Sequence, residues 1–505
     1  NKMKIYLIRP TIVVPAQNIM ALFTPPIGIA YVAGTLIEHG YQVDVIDGLG
    51  LSLDTRHVWD NDTFLYGLNL QQVVDRIPEN AKVVGVHCGF SFDWPACRSL
   101  ITMIRAKFPD AILIGGGEHV NALPEDSLRT SSLNYLVLGE GEETMLELCA
   151  TLNDGITNLN DLKGIAFIDQ FDRYVRTEPR ARLRDIDSIL PPAWDLVPLT
   201  EYLDRGFGYG VDRGRSMPIL GSRGCPYQCT FCSNPSMWTT RWVARDVDML
   251  LDEMENYIEK YNVTNFDFYD LTFVLKKQWV LDFCKKIVDR GLNITWQLPA
   301  GTRSEVIDKE VAAAMYSSGC RNMTYAPESG SPTTLKRIKK KISTDSVVKS
   351  IHECVGEGVN CKVNLIFGFP GETIKEIIET HKFISRVALA GAHDLSIWGF
   401  SPYPGSELFN DMVSEGRLEI NEEYYDSLRT YSDVSNTTSY CENLTNFQLK
   451  CFRISGRVVF YSISWMVRPV RPFRIIFNAL LGRHESRMDM GLANAYRRMW
   501  FYPKL

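Results

Sequence analysis

Three cysteines stand close enough together to do chemistry. Cys225, Cys229 and Cys232 form a Cys-x3-Cys-x2-Cys run inside Gly-Ser-Arg-Gly-Cys-Pro-Tyr-Gln-Cys-Thr-Phe-Cys. Thiols at this density serve a disulfide, a zinc ion or an iron–sulfur cluster, unless they are a chance group of buried thiols. Zinc needs a fourth ligand, and no nearby Cys-x-x-Cys or His pair offers one. Three thiolates on one tight loop suit a [4Fe–4S] cluster with one iron left free of protein. That iron can take a chelating small molecule.

Four further groups of small and polar residues sit where strands should end: Thr24-Pro-Pro-Ile-Gly28, His87-Cys-Gly-Phe-Ser91, Gly115-Gly-Gly-Glu-His119 and Gly139-Glu-Gly-Glu-Glu143. Glycines there permit close backbone approach or positive φ. The elements that position them alternate. Short apolar runs at 4–8, 41–47, 83–88, 111–114 and 135–138 predict strands, with helices at 28–39, 96–107 and 142–151. That alternation predicts a parallel, doubly wound sheet with ligands beyond the carboxyl ends of its strands. From 158 to 210 a proline-rich connector is expected, with an apparent hairpin (164–168 and 173–176) and no chemistry.

Six strand–helix units follow. Strands are predicted at 218–222, 265–269, 294–298, 322–326, 362–367 and 395–400, and helices at 246–260, 277–290, 304–317, 345–357 and 373–390. Six such units make a partial barrel, open on one side, with its functional groups at the carboxyl face. The first strand runs into the cysteine loop. Others end in Asp270, Arg303, Glu328-Ser-Gly330, Gly368-Phe-Pro-Gly-Glu372 and Ser401-Pro-Tyr-Pro-Gly405. Cys284, Cys354 and Cys361 fall among apolar neighbours and read as buried thiols.

The chain of 505 residues is slightly acidic, net −6, which argues against nucleic acid as an obligatory partner. Its twelve cysteines show no small-domain disulfide pattern, and no secretory leader is read at the start. A reducing cytoplasm is the expected setting. No apolar run reaches the roughly 18 residues of a membrane span.

The cysteine spacing and its setting resemble the radical S-adenosylmethionine (SAM) superfamily, in which SAM chelates the open iron. The loops of residues 3–150, above all Pro-Pro-x-Gly and Gly-Glu-Gly-Glu, resemble the cobalamin-binding domain that precedes the radical SAM domain in one large subgroup. No Gly-x-Gly-x-x-Gly follows the first strand to favour a dinucleotide instead. The implied fold is α/β: a doubly wound, Rossmann-like B12-binding domain (1–157), a linker (158–210), a partial (β/α)6 TIM-type barrel (211–405) and a mostly helical C-terminal domain (406–505). The implied cofactors are a [4Fe–4S] cluster on Cys225, Cys229 and Cys232, SAM and cobalamin. By the same resemblance Phe231 lies beside the adenine of SAM, Glu328 and Ser329 at its methionine and ribose end, and Gly368 and Glu372 near the adenine. Pro402, Pro404 and Gly405 match the turn after the sixth strand. Cobalamin would meet Pro26, Gly28, Cys88, Ser91, Gly116, Gly117, Glu118, Gly139, Glu140 and Gly141. Two departures stand out. The second strand ends in Asp270-Leu271 where many relatives carry two acids, and no Asp-x-His-x-x-Gly is present to ligate cobalt. His87 and His119 therefore read as loop hydrogen-bonders, Cys88 as more at home in packing than ligation, and cobalamin as bound without a protein histidine.

Residues 453–505 carry ten Lys or Arg (Arg453, Arg457, Arg468, Arg471, Arg474, Arg483, Arg487, Arg497, Arg498 and Lys504) against Glu485 and Asp489, interleaved with large apolar residues. A helix is predicted at 445–465. The tail suits a membrane-surface helix, a site for an acidic amphiphile, or a helical lid over the barrel mouth. The resemblance implies C-methylation of an unactivated carbon, through a 5′-deoxyadenosyl radical and methylcobalamin. Its alternatives are a cyclase or ring-contracting relative, such as the anaerobic magnesium-protoporphyrin ester cyclase, and a non-catalytic scaffold or sensor. A small, hydrophobic or amphiphilic substrate and an external electron donor such as flavodoxin or ferredoxin are expected, with peripheral membrane contact through the tail.

Overall fold

The computed structural model describes residues 2–16, 23–60, 62–156 and 158–501. Lys504 and the side chains of Arg497 and Arg498 lie outside the described residues. Apolar runs build the first sheet: Ile5–Arg9, Val43–Asp47, Val83–His87, Ile112–Gly116 and Tyr135–Val137 pair in parallel. Their spatial order is second, first, third, fourth, fifth. The order reverses between the first and third strands, where such sheets receive ligands. Helices Ile27–Glu38 and Gly141–Asn153 bury their apolar faces on one side, and Leu70–Asp75 and Trp94–Lys107 on the other.

The hairpin expected within the connector extends this sheet. Ile165–Ile168 runs antiparallel beside Tyr135–Val137, and Tyr174–Arg176 pairs beyond it. This pairing covers an edge strand that would otherwise be open. A small antiparallel sheet of Ile12–Pro15, Arg56–Val58 and Thr63–Tyr66 was not anticipated from the sequence.

The second sheet holds six parallel strands in chain order: Ser216–Ile219, Asn265–Phe268, Thr295–Thr302, Cys320–Glu328, Asn360–Phe367 and Asp394–Gly399. Its first and last strands do not pair, so the barrel is partial. The helices between strands start at real caps. Asp246, Asp308, Ser343 and Thr373 each accept from the backbone N–H three residues on. The first strand begins two residues earlier than expected, and Ser222–Arg223 pairs instead with Val243–Ala244 to tie the root of the cysteine loop.

Strand periodicity separates two environments. Cys361, Val363, Leu365 and Phe367 pack with the outer helices, while Asn360, Lys362, Asn364 and Ile366 are part-exposed and face the lumen. Asn265, Asp267, Gln297, Asn322, Thr324 and Asp394 line it from other strands. Barrel interiors are ordinarily filled by branched apolar side chains. This lumen is polar.

Three helices end the chain: Asn446–Val467, Val470–Leu481 and Arg487–Phe501. The first packs on Ile374–Ala390 and the last barrel strand. Its Arg453, fully buried, donates to the carbonyls of Ile397, Tyr431 and Asp433 and to Thr437. Between the last two helices, Glu485 O accepts from the side chains of Asn322 and Asn360, and Asp394 accepts from Arg487 N and Met488 N. Of the readings offered for the tail, the lid over the mouth is corrected: these helices form a floor at the opposite end. The amides and the carboxylate at the strand beginnings need partners, and the tail supplies them. No helix among the described residues is long and apolar enough to cross a membrane.

Candidate functional site

The cysteine loop leaves the carboxyl end of the first barrel strand. Gly224 has φ +88°, and a Cβ there would lie 1.9 Å from Arg241 O, so glycine alone fits the turn into Cys225. Asp270 accepts from Gly221 N at 2.9 Å and Ser222 Oγ at 2.5 Å, and Thr272 Oγ1 donates to Cys225 Sγ at 3.3 Å. The solitary acid after the second strand thus anchors the loop. Burial pushes its carboxyl up to about 7 against those donors.

Cys225 and Cys232 are part-exposed and Cys229 is nearly buried. Burial pushes both the Cys229 and Cys232 thiols up, the latter to about 12. Metal ligation displaces such protons. Among the described residues no three His, Cys, Asp or Glu side chains converge on a single ion. A cubane cluster spreads its thiolates over separate corners, so the donor set fits [4Fe–4S] with one open iron.

Around this loop the barrel ends gather unevenly. Phe231 packs 5.6 Å from the Phe369 ring, and the Lys340 ammonium lies 5.8 Å from Phe231. The strand register shifts between Tyr325 and Glu328, which takes φ +68° and pairs with Lys340 at 3.3 Å. Strain of this kind, in a non-glycine residue at a strand end, is a mark of functional positions. Burial raises the Glu328 carboxyl and Lys340 opposes it. Cys229 senses both charges. Phe231, Glu328 and Cys229 therefore share one site.

Ser329 and Glu372 point elsewhere. Ser329 is fully buried, its hydroxyl bonded to Thr380 and to Ser331 N. Glu372 turns back on its own strand end, where Oε2 accepts from Gly368 N at 2.6 Å and Phe369 N at 3.3 Å. These two side chains hold backbone, and Gly368 itself, at φ +89°, packs against Leu449, which a Cβ would approach within 2.9 Å.

The carboxyl ends of the first sheet meet the same region. The Gly-Glu-Gly-Glu loop is engaged by its acids: Arg223, two residues before Cys225, reaches Glu140 Oε1 at 3.1 Å and Glu142 Oε1 at 2.7 Å. Glu140 Oε2 also accepts from Leu183 N and lies near Arg182. Glu140 is thus a clamp between domains and not a free ligand-binding carboxylate, and the connector contributes to it. Sequence reading missed Arg223, although its place between Ser222 and Gly224 in the cysteine motif marked it. A second joint forms where Ser91 N donates to Tyr403 Oη, in the turn after the sixth strand.

Other residues assigned to cobalamin divide by orientation. Cys88 is core, its thiol 3.7 Å from Cys97 Sγ. Ser91 is fully buried and its hydroxyl meets His119 Nδ1 at 2.9 Å. His119 stacks on Trp94 at 4.4 Å, and burial lowers its pKa to about 3. It stays a neutral packed ring, away from the cleft. His87 is part-exposed, with its pKa lowered to about 4 by burial and by Arg9. A Cβ on Gly89 would lie 2.8 Å from His87 Nε2, so the ring folds over its own turn. In contrast, Gly28 and Gly139 border open space, and Gly116 nearly so. Gly117, at φ +121°, allows the chain to cross Cys88 O, where a Cβ would come within 2.5 Å. Gly141 sits against Val32. Pro26 precedes the helix that carries Gly28. Glu118 is exposed to the cleft, and its charge is felt by Tyr209 and Tyr403.

Two family models match the chain in this order: B12 binding domain over residues 20–149 and Radical SAM superfamily over 219–384. An uncharacterized methyltransferase of Pyrococcus horikoshii is 28% identical over 419 residues, covering 82% of this chain and 84% of that protein. Cytidylyl-2-hydroxyethylphosphonate methyltransferase of Streptomyces wedmorensis is 27% identical, covering 80% of each. The fold is similar to that of the radical SAM methyltransferase TsrM from Kitasatospora setae, with TM-score 0.65, 20% identity, and coverage of 82% of this chain and 75% of that one. With its B12-binding module clamped to the root of the cysteine loop, this chain belongs to the cobalamin-dependent radical SAM enzymes.

Proposed function

We propose that the protein methylates an unactivated carbon of a small molecule, using a [4Fe–4S] cluster, SAM and cobalamin. The observation that carries this is the Arg223 clamp, which fixes the B12-binding loops against the root of the cysteine loop. When bound, the cluster with SAM supplies a carbon-centred radical and cobalamin supplies the methyl group. Cys225, Cys229 and Cys232 would hold the cluster. Phe231, Glu328 and the Gly368 turn would border SAM. Pro26, Gly28, Gly116, Gly117, Glu118 and Gly139 would border cobalamin, largely through backbone.

An external reductant such as flavodoxin or ferredoxin would feed the cluster. All twelve cysteines are unpaired, which suits a reducing cytoplasm. Exposed Val470, Phe473 and Phe477 on Val470–Leu481 support peripheral contact with a membrane surface. Cys229→Ala tests the reading: after anaerobic reconstitution it should form no 5′-deoxyadenosine from SAM under dithionite, while the parent protein does. Normal 5′-deoxyadenosine production by the variant would sink the proposal. A product heavier by one methylene separates methylation from ring closure.

A further inference from the structure

Two cations inside the barrel lack a hydrogen-bonded or ion-paired partner among the described residues. Lys362, third residue of the fifth barrel strand, and Arg487, on the floor, line one pocket with Gln297, Asn322, Thr324 and Asp394. Neither the ammonium nor the guanidinium has a hydrogen bond or ion pair with any described residue. The Lys362 ammonium lies 5.8 Å from the centre of the Trp398 ring. The charge of Asp394 reaches both cations and that of Asp267 reaches Arg487, but their oxygens are hydrogen-bonded elsewhere. Asp394 accepts from Arg487 N at 2.7 Å and Met488 N at 3.2 Å. Asp267 accepts from Gly210 N, Asn265 Nδ2 and Gln297 Nε2. Above Lys362 on the same strand, Asn364 Oδ1 is buried with no partner, as is Tyr269 Oη, which follows the second strand.

This asymmetry has a physical consequence. An unpaired charge in a low-dielectric enclosure is costly, whereas an anion held by Lys and Arg together gains strong charge-assisted hydrogen bonds. Burial and the charge of Arg487 lower the Lys362 pKa to about 7 against the opposing charge of Asp394, and a bound anion would act in the same direction as Asp394.

We infer that the lumen floor is the anchor for an acidic group of the substrate, a carboxylate or a phosphoryl group, gripped by Lys362 and Arg487. The substrate then carries an anionic group, which fits the acidic amphiphile among the sequence expectations better than a purely hydrophobic molecule. Asn364 and Tyr269 are placed to meet its polar atoms nearer the mouth. The occupant's identity as substrate rests on the methyl-transfer reading; the anion site does not.

The full chain, loaded anaerobically with cluster and cobalamin, is titrated calorimetrically with inorganic phosphate and, separately, with succinate. At least one should bind, and Lys362→Met and Arg487→Met should each weaken it about tenfold or more. Lys362→Arg and Arg487→Lys keep the charge and should each bind more tightly than the methionine variant of the same residue. If a methionine variant fails to load iron, the glutamine variant of the same residue takes its place. Tighter phosphate identifies a phosphoryl group, and tighter succinate a carboxylate. Binding of neither anion, or binding undiminished when both residues are changed, overturns the site. SAM-dependent methylation of cobalamin is followed in the parent protein in parallel. Its absence alongside residue-dependent anion binding would reject the methyl-transfer reading and leave the site standing.

Discussion

Glu372 shows how a residue recognised by motif can serve the backbone instead. Its Oε2 braces Gly368 N and Phe369 N, while Oε1 is buried with no partner. Burial pushes the carboxyl from 4.5 up to about 7, although those two N–H groups favour the ion. The folded protein therefore keeps this proton at a pH where the unfolded chain releases it. That contribution is complete below about pH 4.5 and is lost as pH rises through about 7, up to roughly 3 kcal/mol. Glu372→Gln mimics the protonated acid. It should match the parent in stability near pH 5 and exceed it by pH 8, measured by chemical unfolding across that range. Parallel pH profiles would show that the carboxyl titrates normally. Residue identity was legible where chemistry is local: Cys225, Cys229 and Cys232 lie within one loop, so their spacing alone reports the donor set. Ser329 and Glu372 lie in loops whose direction depends on packing against Ile374–Ala390, which no spacing encodes.

At the scale of elements, the Arg223 clamp sets the distance between two cofactor-bearing layers. Its guanidinium and both carboxylates are nine-tenths or more buried. Removing one partner of a buried group of this kind costs about 3–5 kcal/mol, because the other charges stay desolvated. Arg182 would still attend Glu140, which leaves Glu142 the stranded charge. Arg223→Met should retain its iron and cobalamin but methylate cobalamin from SAM about tenfold or more slowly, since small misplacements of reacting groups are expensive. Adding Glu142→Gln should recover thermal stability without restoring that rate. An unchanged rate in Arg223→Met would mean that the layers are positioned by other contacts, such as Ser91 with Tyr403. Most strands and helices were readable because apolar runs and caps are local signals. The hairpin at 165–176 was seen as a hairpin yet not placed, since its partner strand is chosen by an open edge about thirty residues upstream. The polar alternation Asn360, Lys362, Asn364 was visible too. Its meaning required knowing that the strand's second face looks into a lumen.

For the whole molecule, the tail divides its charge between the interior and the surface. Two of its arginines turn inward: Arg468 donates to the carbonyls of Ala388 and Leu389, and Arg471 to those of Gly391 and Ala392. They cap the C-terminal end of helix Ile374–Ala390, where cations are favoured. Arg474 pairs with Glu485, and Arg487 enters the floor. Beside the exposed Arg474 and Arg483, the tail shows solvent a large apolar face, with Met466, Val470 and Phe473 each more than 70% exposed and Phe477 and Leu480 close behind. Contiguous apolar surface of this kind marks an interaction site. Contact with a membrane would therefore depend on burial of side chains more than on charge. The protein should cosediment with zwitterionic as well as anionic vesicles, and moderate salt should weaken binding only slightly. Each phenylalanine buried in lipid contributes roughly 1.5–3 kcal/mol, so the double substitution Phe473→Asp and Phe477→Asp should lower partitioning by about a hundredfold or more. Both positions are exposed, so the fold and iron content should survive. Truncation at Arg468 is a poor test, because it also removes the residues that close the barrel floor. If the intact protein leaves both kinds of vesicle untouched, the apolar face does not meet lipid, and binding confined to anionic vesicles would restore charge as the driving term.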